Sequence, residues 1–180
     1  MVKKVGIFID DSNIFYAQKK AGWKVDFEKL RNLLEKECKI VLMRYYIAIP
    51  NENDESFKAT HKYLEYLREK KFSIKSKPLK YIHTSKGIIK KGDVDLEIAL
   101  DVVRTLSSLD IVIIVSGDSD YLELKRYVLE NRKHMVFCAF KHNMAWELKE
   151  GKYILFDKIR NWVEGHKKTP GTKPERILPV

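Results

Sequence analysis

Cysteine is nearly absent from this chain, with Cys38 and Cys138 the only two among 180 residues. Both sit in apolar, strand-like stretches. Two distant thiols cannot build a disulfide framework, and the pattern predicts reduced core thiols and a cytoplasmic protein. Proline (5) and glycine (8) are sparse, and the chain shows no internal repeat and no sign of a second domain. No apolar run approaches the ~20 residues needed to span a membrane. Met1-Val2-Lys3-Lys4 enters the first apolar strand directly, without the layout of a signal peptide. The five histidines, at 61, 83, 134, 142 and 166, show no metal-ligand pairing. Nucleophile-elbow, P-loop and dinucleotide fingerprints are all missing.

Acidic residues are in deficit. Asp and Glu number 25 against 35 Lys and Arg, a net charge of +10. A lysine-rich solvated surface would explain that excess, and so would a polyanionic partner such as nucleic acid. The carboxylates that are present stand in telling places. Val5-Gly6-Ile7-Phe8-Ile9 runs into Asp10-Asp11-Ser12-Asn13, and Ile111-Val112-Ile113-Ile114-Val115 runs into Ser116-Gly117-Asp118-Ser119-Asp120. Continuous Val/Ile/Phe runs read as strands buried on both faces of a parallel sheet. Ligands in such sheets bind beyond the carboxyl ends of the strands. Asp, Ser and Asn are also preferred helix N-caps, so either turn could simply start a helix. A cap needs one side chain, however, and each turn carries two carboxylates. Asp93 and Asp95 open a further helix directly before the second acidic strand. Such a cluster is unfavourable unless a divalent cation offsets the repulsion.

The remaining pattern alternates strands and helices, which predicts an α/β/α sandwich around a mostly parallel sheet. Ser12 or Asn13 is expected to cap a helix to about Lys20, and a second helix follows over Asp26 to Glu37. Lys39 to Ile49 reads as a strand and Glu55 to Lys71 as a helix. Phe72 to Ile82 reads as extended, and Lys86-Gly87 as a hairpin tip returning through Ile88-Ile89-Lys90. Val94 to Leu106 is a helix with Leu96, Ala99, Leu100, Val103 and Leu106 on one face. Met135 to Phe140 is another buried strand. Residues 1–165 form the domain, and the Lys- and Pro-rich stretch 166–180 reads as a flexible tail.

These residues resemble the NYN domain family, PIN-like nucleases that include a LabA-like group. Phe8-Ile9-Asp10-Asp11-Ser12-Asn13 is similar to its opening motif, Val94 to Asp101 to its second, and Val115-Ser116-Gly117-Asp118-Ser119-Asp120-Tyr121 to its third. The resemblance covers about residues 3 to 163 and implies a three-layer PIN-like fold. It also implies a metal-dependent ribonuclease, with one or two Mg²⁺ or Mn²⁺ ions. Asp10, Asp95 and Asp118 would be the catalytic, metal-binding carboxylates, and Asp120 a further metal ligand. Asn13, Asp11, Asp93, Ser116 and Ser119 would support them. Asp101 matches a later Asp of the second motif but lies six residues after Asp95, on a different helix face. A salt bridge with Arg104, or a supporting role behind the metal-binding carboxylates, is expected there. Asp11 stands where the family usually has Gly, Ala145 where Ser is common, and Lys152 where Asp is common.

Hard carboxylate oxygens suit magnesium, which keeps several waters and needs few protein ligands. Water activated on the metal would attack a phosphodiester in line, with no covalent enzyme intermediate. Lys86, Lys90 and Lys91 could hold phosphates, and Tyr81 and His83 could stack on bases. Tyr45, Tyr46, Trp146 and Trp162 read as core or interface instead. The preference for RNA comes from the resemblance. No membrane partner is expected, and a homodimer is left open. Two alternatives stand: a non-catalytic nucleic-acid or protein-binding module on the same fold, and a haloacid-dehalogenase-type phosphatase. The latter lacks its acid-base Asp, because Ser12 stands two residues after Asp10.

Overall fold

The computed structural model describes residues 2–165 and 177–179. In chain order the elements are β1 (Lys4–Asp10), α1 (Asp11–Ala21), α2 (Phe27–Leu34), β2 (Lys39–Ile49), α3 (Phe57–Glu69) and β3 (Ser73–Pro78). There follow β4 (Lys80–Thr84), β5 (Gly87–Lys91), α4 (Asp95–Thr105), β6 (Ile111–Val115), α5 (Leu122–Glu130), β7 (His134–Ala139), β8 (Lys152–Leu155) and α6 (Phe156–Val163). Short 3-10 turns span Leu106–Ser108, Ser119–Tyr121 and Trp146–Glu150.

Six strands pair in the order β3-β2-β1-β6-β7-β8, and every pairing is parallel. The fold is the three-layer α/β/α arrangement expected. The period of two along each strand sends alternate side chains to opposite layers. Ile111, Ile113 and Val115 join the side chains of α1, α2, α3 and α6 in one core. Val112 and Ile114 join those of α4 and α5 in the other. Chain order runs outward from β1 in one direction through β2 and β3, and from β6 in the other through β7 and β8. The reversal falls between β1 and β6, which is where such sheets open a crevice for ligands.

Several sequence expectations shift by a few residues, each for a local reason. β1 runs on to Asp10, so Asp10, rather than Ser12 or Asn13, caps α1 by accepting from the Asn13 N–H at 3.2 Å. Gly22, at φ 74°, ends α1 in the left-handed region that glycine adopts without strain. α2 stops at Leu34, three residues before the expected end. The extended stretch from Phe72 is two strands: β3 joins the main sheet, and after Leu79 the chain leaves it to form the antiparallel β4–β5 hairpin.

The largest correction concerns α4. Its buried side chains are Ile98, Asp101 and Val102, while Leu96, Leu100 and Val103 are exposed. The helix carries apolar residues on two faces, so periodicity alone does not choose between them. Asp101 accompanies the buried face. Its carboxylate meets Arg44 at 3.1 Å and accepts from the Tyr46 hydroxyl at 2.7 Å, and the expected partner Arg104 stands farther off at 3.8 Å.

Of the expected tail, residues 166–176 and 180 lie outside the described residues. Ile177 and Leu178 depart from the expectation, because both are buried in the α1/α2 core layer. Their amides donate to the Glu37 carboxylate at 3.0 and 3.1 Å. Two apolar side chains following the polar stretch supply a reason to dock that tail composition hid.

The hairpin is tied down at one point. Asp54, whose side chain is 2% exposed, pairs with Lys90 at 2.7 Å and accepts from the Tyr81 hydroxyl at 2.8 Å. Lys90 first, then Ser56 and Tyr81, hold this carboxyl well below the usual carboxylate range. Because the folded value is lowered, the clamp is fully present above the unfolded value near ~4 and weakens as pH falls below it. Asp54→Asn is therefore expected to accelerate amide exchange in β4–β5. The gap from wild type should persist from about pH 8 to 5 and narrow only below about pH 4. A gap already closed at pH 5 would show that the clamp is not electrostatic.

Candidate active site

Asp10 ends β1, Ser116 and Gly117 follow β6, and Asp95 begins α4, so three elements bring acid to the crevice at the sheet's reversal. Asp10 is 2% exposed. One of its oxygens accepts from the Ser12 hydroxyl at 2.9 Å and the Asn13 N–H. The other accepts from Ser116 at 3.3 Å and lies 3.4 Å from the Tyr121 hydroxyl oxygen. Burial raises the Asp10 carboxyl above its ordinary value, and the charge of Asp95 adds to the rise against the opposing hydrogen bonds. Asp95 is raised too, by burial first and then by Asp118, Asp93 and Asp120. The two acidic turns and the α4 start thus act electrostatically as one cluster.

Tyr121 is the residue that sequence reasoning overlooked, although it closes the third motif. Its buried hydroxyl donates to Asp95 at 2.8 Å and reaches Asp10 at 3.4 Å, bridging two of the carboxylates. Its apolar ring had the look of an ordinary core residue. Tyr121→Phe removes the donor and leaves Asp95 short of its partner. That change is expected to cost about 1–3 kcal/mol of stability, read as a lower denaturant midpoint at unchanged slope. An unshifted midpoint would dispose of the bridge.

Asp118 caps the following 3-10 turn, accepting from the Asp120 N–H at 3.0 Å. Asn13 reaches across from α1 to accept from the Gly117 N–H at 2.9 Å, which fixes the two turns against each other. Ser116 also accepts from the Asp118 N–H at 3.2 Å. Ser119 is half-buried and Asp120 exposed at the rim. Asn143 was not foreseen either. Its carbonyl would lie 2.3 Å from a Cβ on Gly117, and its side-chain Oδ1 is buried without a hydrogen-bond partner among the described residues.

Two expected supports face elsewhere. Asp11 accepts from the buried Tyr45 hydroxyl on the opposite layer, and burial, with a contribution from Asp10, raises its carboxyl to about 6. The extra carboxylate at this glycine position is thus absorbed by a tyrosine. Asp93 is exposed and paired with Lys91 at 3.1 Å. On the hairpin, Tyr81 and Lys90 are committed to Asp54, while His83 and Lys86 are exposed. Ala145 borders the crevice, its N–H donating to the Gly117 carbonyl at 2.9 Å. Lys152 starts β8 beside His134 at the other end of the sheet, so that departure leaves the crevice untouched. Trp146, read as core or interface, is 68% exposed and so stands outside the core. A cleft of about 210 Å³ lies apart from the acids, between α4 and β3, and is lined by Lys75, Lys77, Asp101 and Arg104.

The donor chemistry fits a hard divalent cation. One oxygen each of Asp95 and Asp118 carries no hydrogen bond among the described residues, and a neutralising cation would reverse the upward pressure on Asp10 and Asp95. The cage is incomplete, however. Among the described residues no three Asp, Glu, His or Cys side chains already converge closely enough to hold an ion.

A doubly wound parallel sheet with its acids gathered at the reversal defines a PIN-like domain. The chain belongs to the NYN domain family, whose model matches residues 4–155. It is 26% identical over 184 residues to the low amplitude and bright protein LabA of Synechococcus elongatus, an alignment covering 98% of this chain and 95% of that protein. The fold is similar to a solved protein of unknown function from Vibrio parahaemolyticus, with a TM-score of 0.70, 24% identity, and coverage of 86% of this chain and 92% of that one.

Proposed function

We propose that this chain is a metal-dependent nuclease that hydrolyses phosphodiester bonds in RNA. The observation that carries the reading is the Tyr121 hydroxyl, 2.8 Å from Asp95 and 3.4 Å from Asp10, with Ser116 donating to Asp10 and accepting from the Asp118 N–H, at the sheet's reversal in a protein of net charge +10. Family membership supports the same class of chemistry. A bound Mg²⁺ or Mn²⁺ would supply polarisation of the phosphodiester and activation of the attacking water. Asp95 and Asp118 offer the open oxygens, and Asp10 is oriented by Ser12, the Asn13 N–H and Ser116, while Tyr121 orients Asp95. Asn13 holds the Gly117 turn so that Asp118 faces the crevice. Asp120, at the rim, contributes charge to Asp95 and would act on an ion through water. Surface lysines would attract the polyanion, and Asp95 and Asp118 would hold the cation that offsets their repulsion of its phosphates.

The incomplete convergence of acids favours a second reading, a nucleic-acid-binding module that has kept the fold. Cleavage of a labelled mixed-sequence RNA with Mn²⁺ and with EDTA separates the two. Cutting that requires the metal supports the nuclease, and binding without cutting under every divalent ion replaces it with the module.

A further inference from the structure

Three large aromatic side chains flank the acid crevice in full view of solvent. Phe15 is 55% exposed, Tyr16 70% and Trp146 68%. Seven other rings, Phe8, Tyr45, Tyr46, Tyr121, Phe137, Phe140 and Phe156, are fully enclosed, and Tyr66 and Tyr127 are less open at 40% and 39%. The exposed three are placed by the same contacts that build the site. On α1, Phe15 follows Ser12 and Tyr16 follows Asn13 by three residues, so each sits one turn above a group bonded to the crevice. Ser12 donates to Asp10, and Asn13 accepts from Gly117. From the other side, the residue before Trp146 donates its N–H to the Gly117 carbonyl. The aromatic pair and the tryptophan therefore stand on two segments that both grip Gly117, next to Asp118.

Phe15 and Tyr16 pack edge to face with centroids 5.4 Å apart, which leaves ring faces uncovered. Among the described residues Trp146 makes no ring contact and no side-chain hydrogen bond. Basic side chains continue each segment. Lys19 and Lys20 occupy the last turn of α1, and Lys141 stands on the loop that leads to Trp146, exposed. Exposed rings and lysines carried on the same two segments match the needs of an unpaired strand, whose bases offer π-faces and whose phosphates need cations. A duplex stacks its bases internally and has no free face to give.

We propose that Tyr16, with Phe15, and Trp146 are base-stacking residues that bracket the crevice and select single-stranded nucleic acid. The proposal refines the nuclease reading by naming its substrate class, and it holds equally for the binding module. The hairpin residues Tyr81 and Lys90 are occupied by Asp54 and leave this role to the crevice aromatics.

Tryptophan emission tests the proposal without any cleavage. Trp23 is 7% exposed and Trp162 is half-buried, so a base stacking on the surface reaches Trp146 first. Wild-type protein in EDTA is titrated with an unpaired oligouridylate and with a blunt RNA duplex of equal length. The expected result is quenching by the unpaired strand, lost in Trp146→Phe. That variant, whose smaller ring still stacks, retains most of the affinity. Trp146→Ala and Tyr16→Ala are each expected to weaken single-strand binding roughly 10-fold and to leave duplex binding unchanged. Equal quenching by duplex, no quenching, or unaltered single-strand affinity in both Ala variants overturns the proposal and assigns the rings to a protein partner. Quenching without metal-dependent cleavage upholds the stacking residues while removing the nuclease. Cleavage without quenching does the reverse.

Discussion

Asp118→Asn is expected to lower metal-dependent RNA cleavage on the order of 10³-fold while leaving the fold and RNA binding in place. The magnitude follows from the several kcal/mol that a bound metal contributes to a phosphoryl-transfer transition state, at about 1.4 kcal/mol per factor of ten. The substitution is discriminating because the proposed nuclease gives Asp118 a second job beside capping. Its carboxylate caps the 3-10 turn through the Asp120 N–H, and an asparagine oxygen performs that job nearly as well. The charge toward a cation is what the substitution removes. Loss of one negative charge from the crevice also lessens repulsion of the phosphate backbone, so RNA affinity in EDTA is expected to hold or rise slightly. Single-turnover cleavage with Mn²⁺, alongside anisotropy in EDTA and a thermal melt, reads all three quantities. Cleavage within about threefold of wild type would remove Asp118 from the chemistry. A fall in melting temperature that tracks the loss of activity would reduce its role to capping.

Gly117→Ala is expected to be the more damaging change to the protein as a whole. A Cβ at this position would stand 2.3 Å from the Asn143 carbonyl oxygen and 2.8 Å from its carbon. These are backbone atoms, which cannot rotate away as a flexible side chain could. Relief requires separating the Gly117 turn from the 143–146 loop, and that breaks the Ala145–Gly117 hydrogen bond. It also strains the link from Asn13. Overpacking of this kind costs roughly 3 kcal/mol, or a fall of roughly 6–12 °C in Tm for a domain of this size. Activity is expected to fall further than stability, because the same turn carries Asp118. Retention of wild-type Tm would mean that the two segments separate freely. In that case the crevice is not held by their contact.

Much of the fold was legible because β1 and β6 are short apolar runs that only a doubly covered sheet can accept. Their acidic ends marked the crevice before any coordinates, and β2 was read to its limits at Lys39 and Ile49. α4 was misread because both of its candidate faces are apolar, and a helical period reports a stripe without saying which stripe finds a partner. The roll of α4 is accompanied by Asp101 contacts to Arg44 and Tyr46, more than fifty residues upstream. Asp11 was misplaced for a related reason. It adjoins Asp10 in sequence, yet one residue along a strand-to-helix turn is enough to send a side chain to the opposite layer, where Tyr45 receives it. Tyr121, Asn143 and Trp146 carry no local signal, since an aromatic or amide residue looks the same whether it is buried, bridging or bare.

The sequence by itself determined the α/β class, because its apolar runs are short contiguous patterns whose physics is local, and motif resemblance pointed from there to the family and to Asp10, Asp95 and Asp118. Tertiary structure decided which of those acids are coupled, which tyrosine bridges them, where Asp11 turns and which rings stay uncovered. Those outcomes depend on distances between segments a hundred residues apart, such as the 2.9 Å from Gly117 to Asn13. Hydrogen bonds and charge interactions act over a few ångströms, and only the folded chain fixes which groups meet at that range.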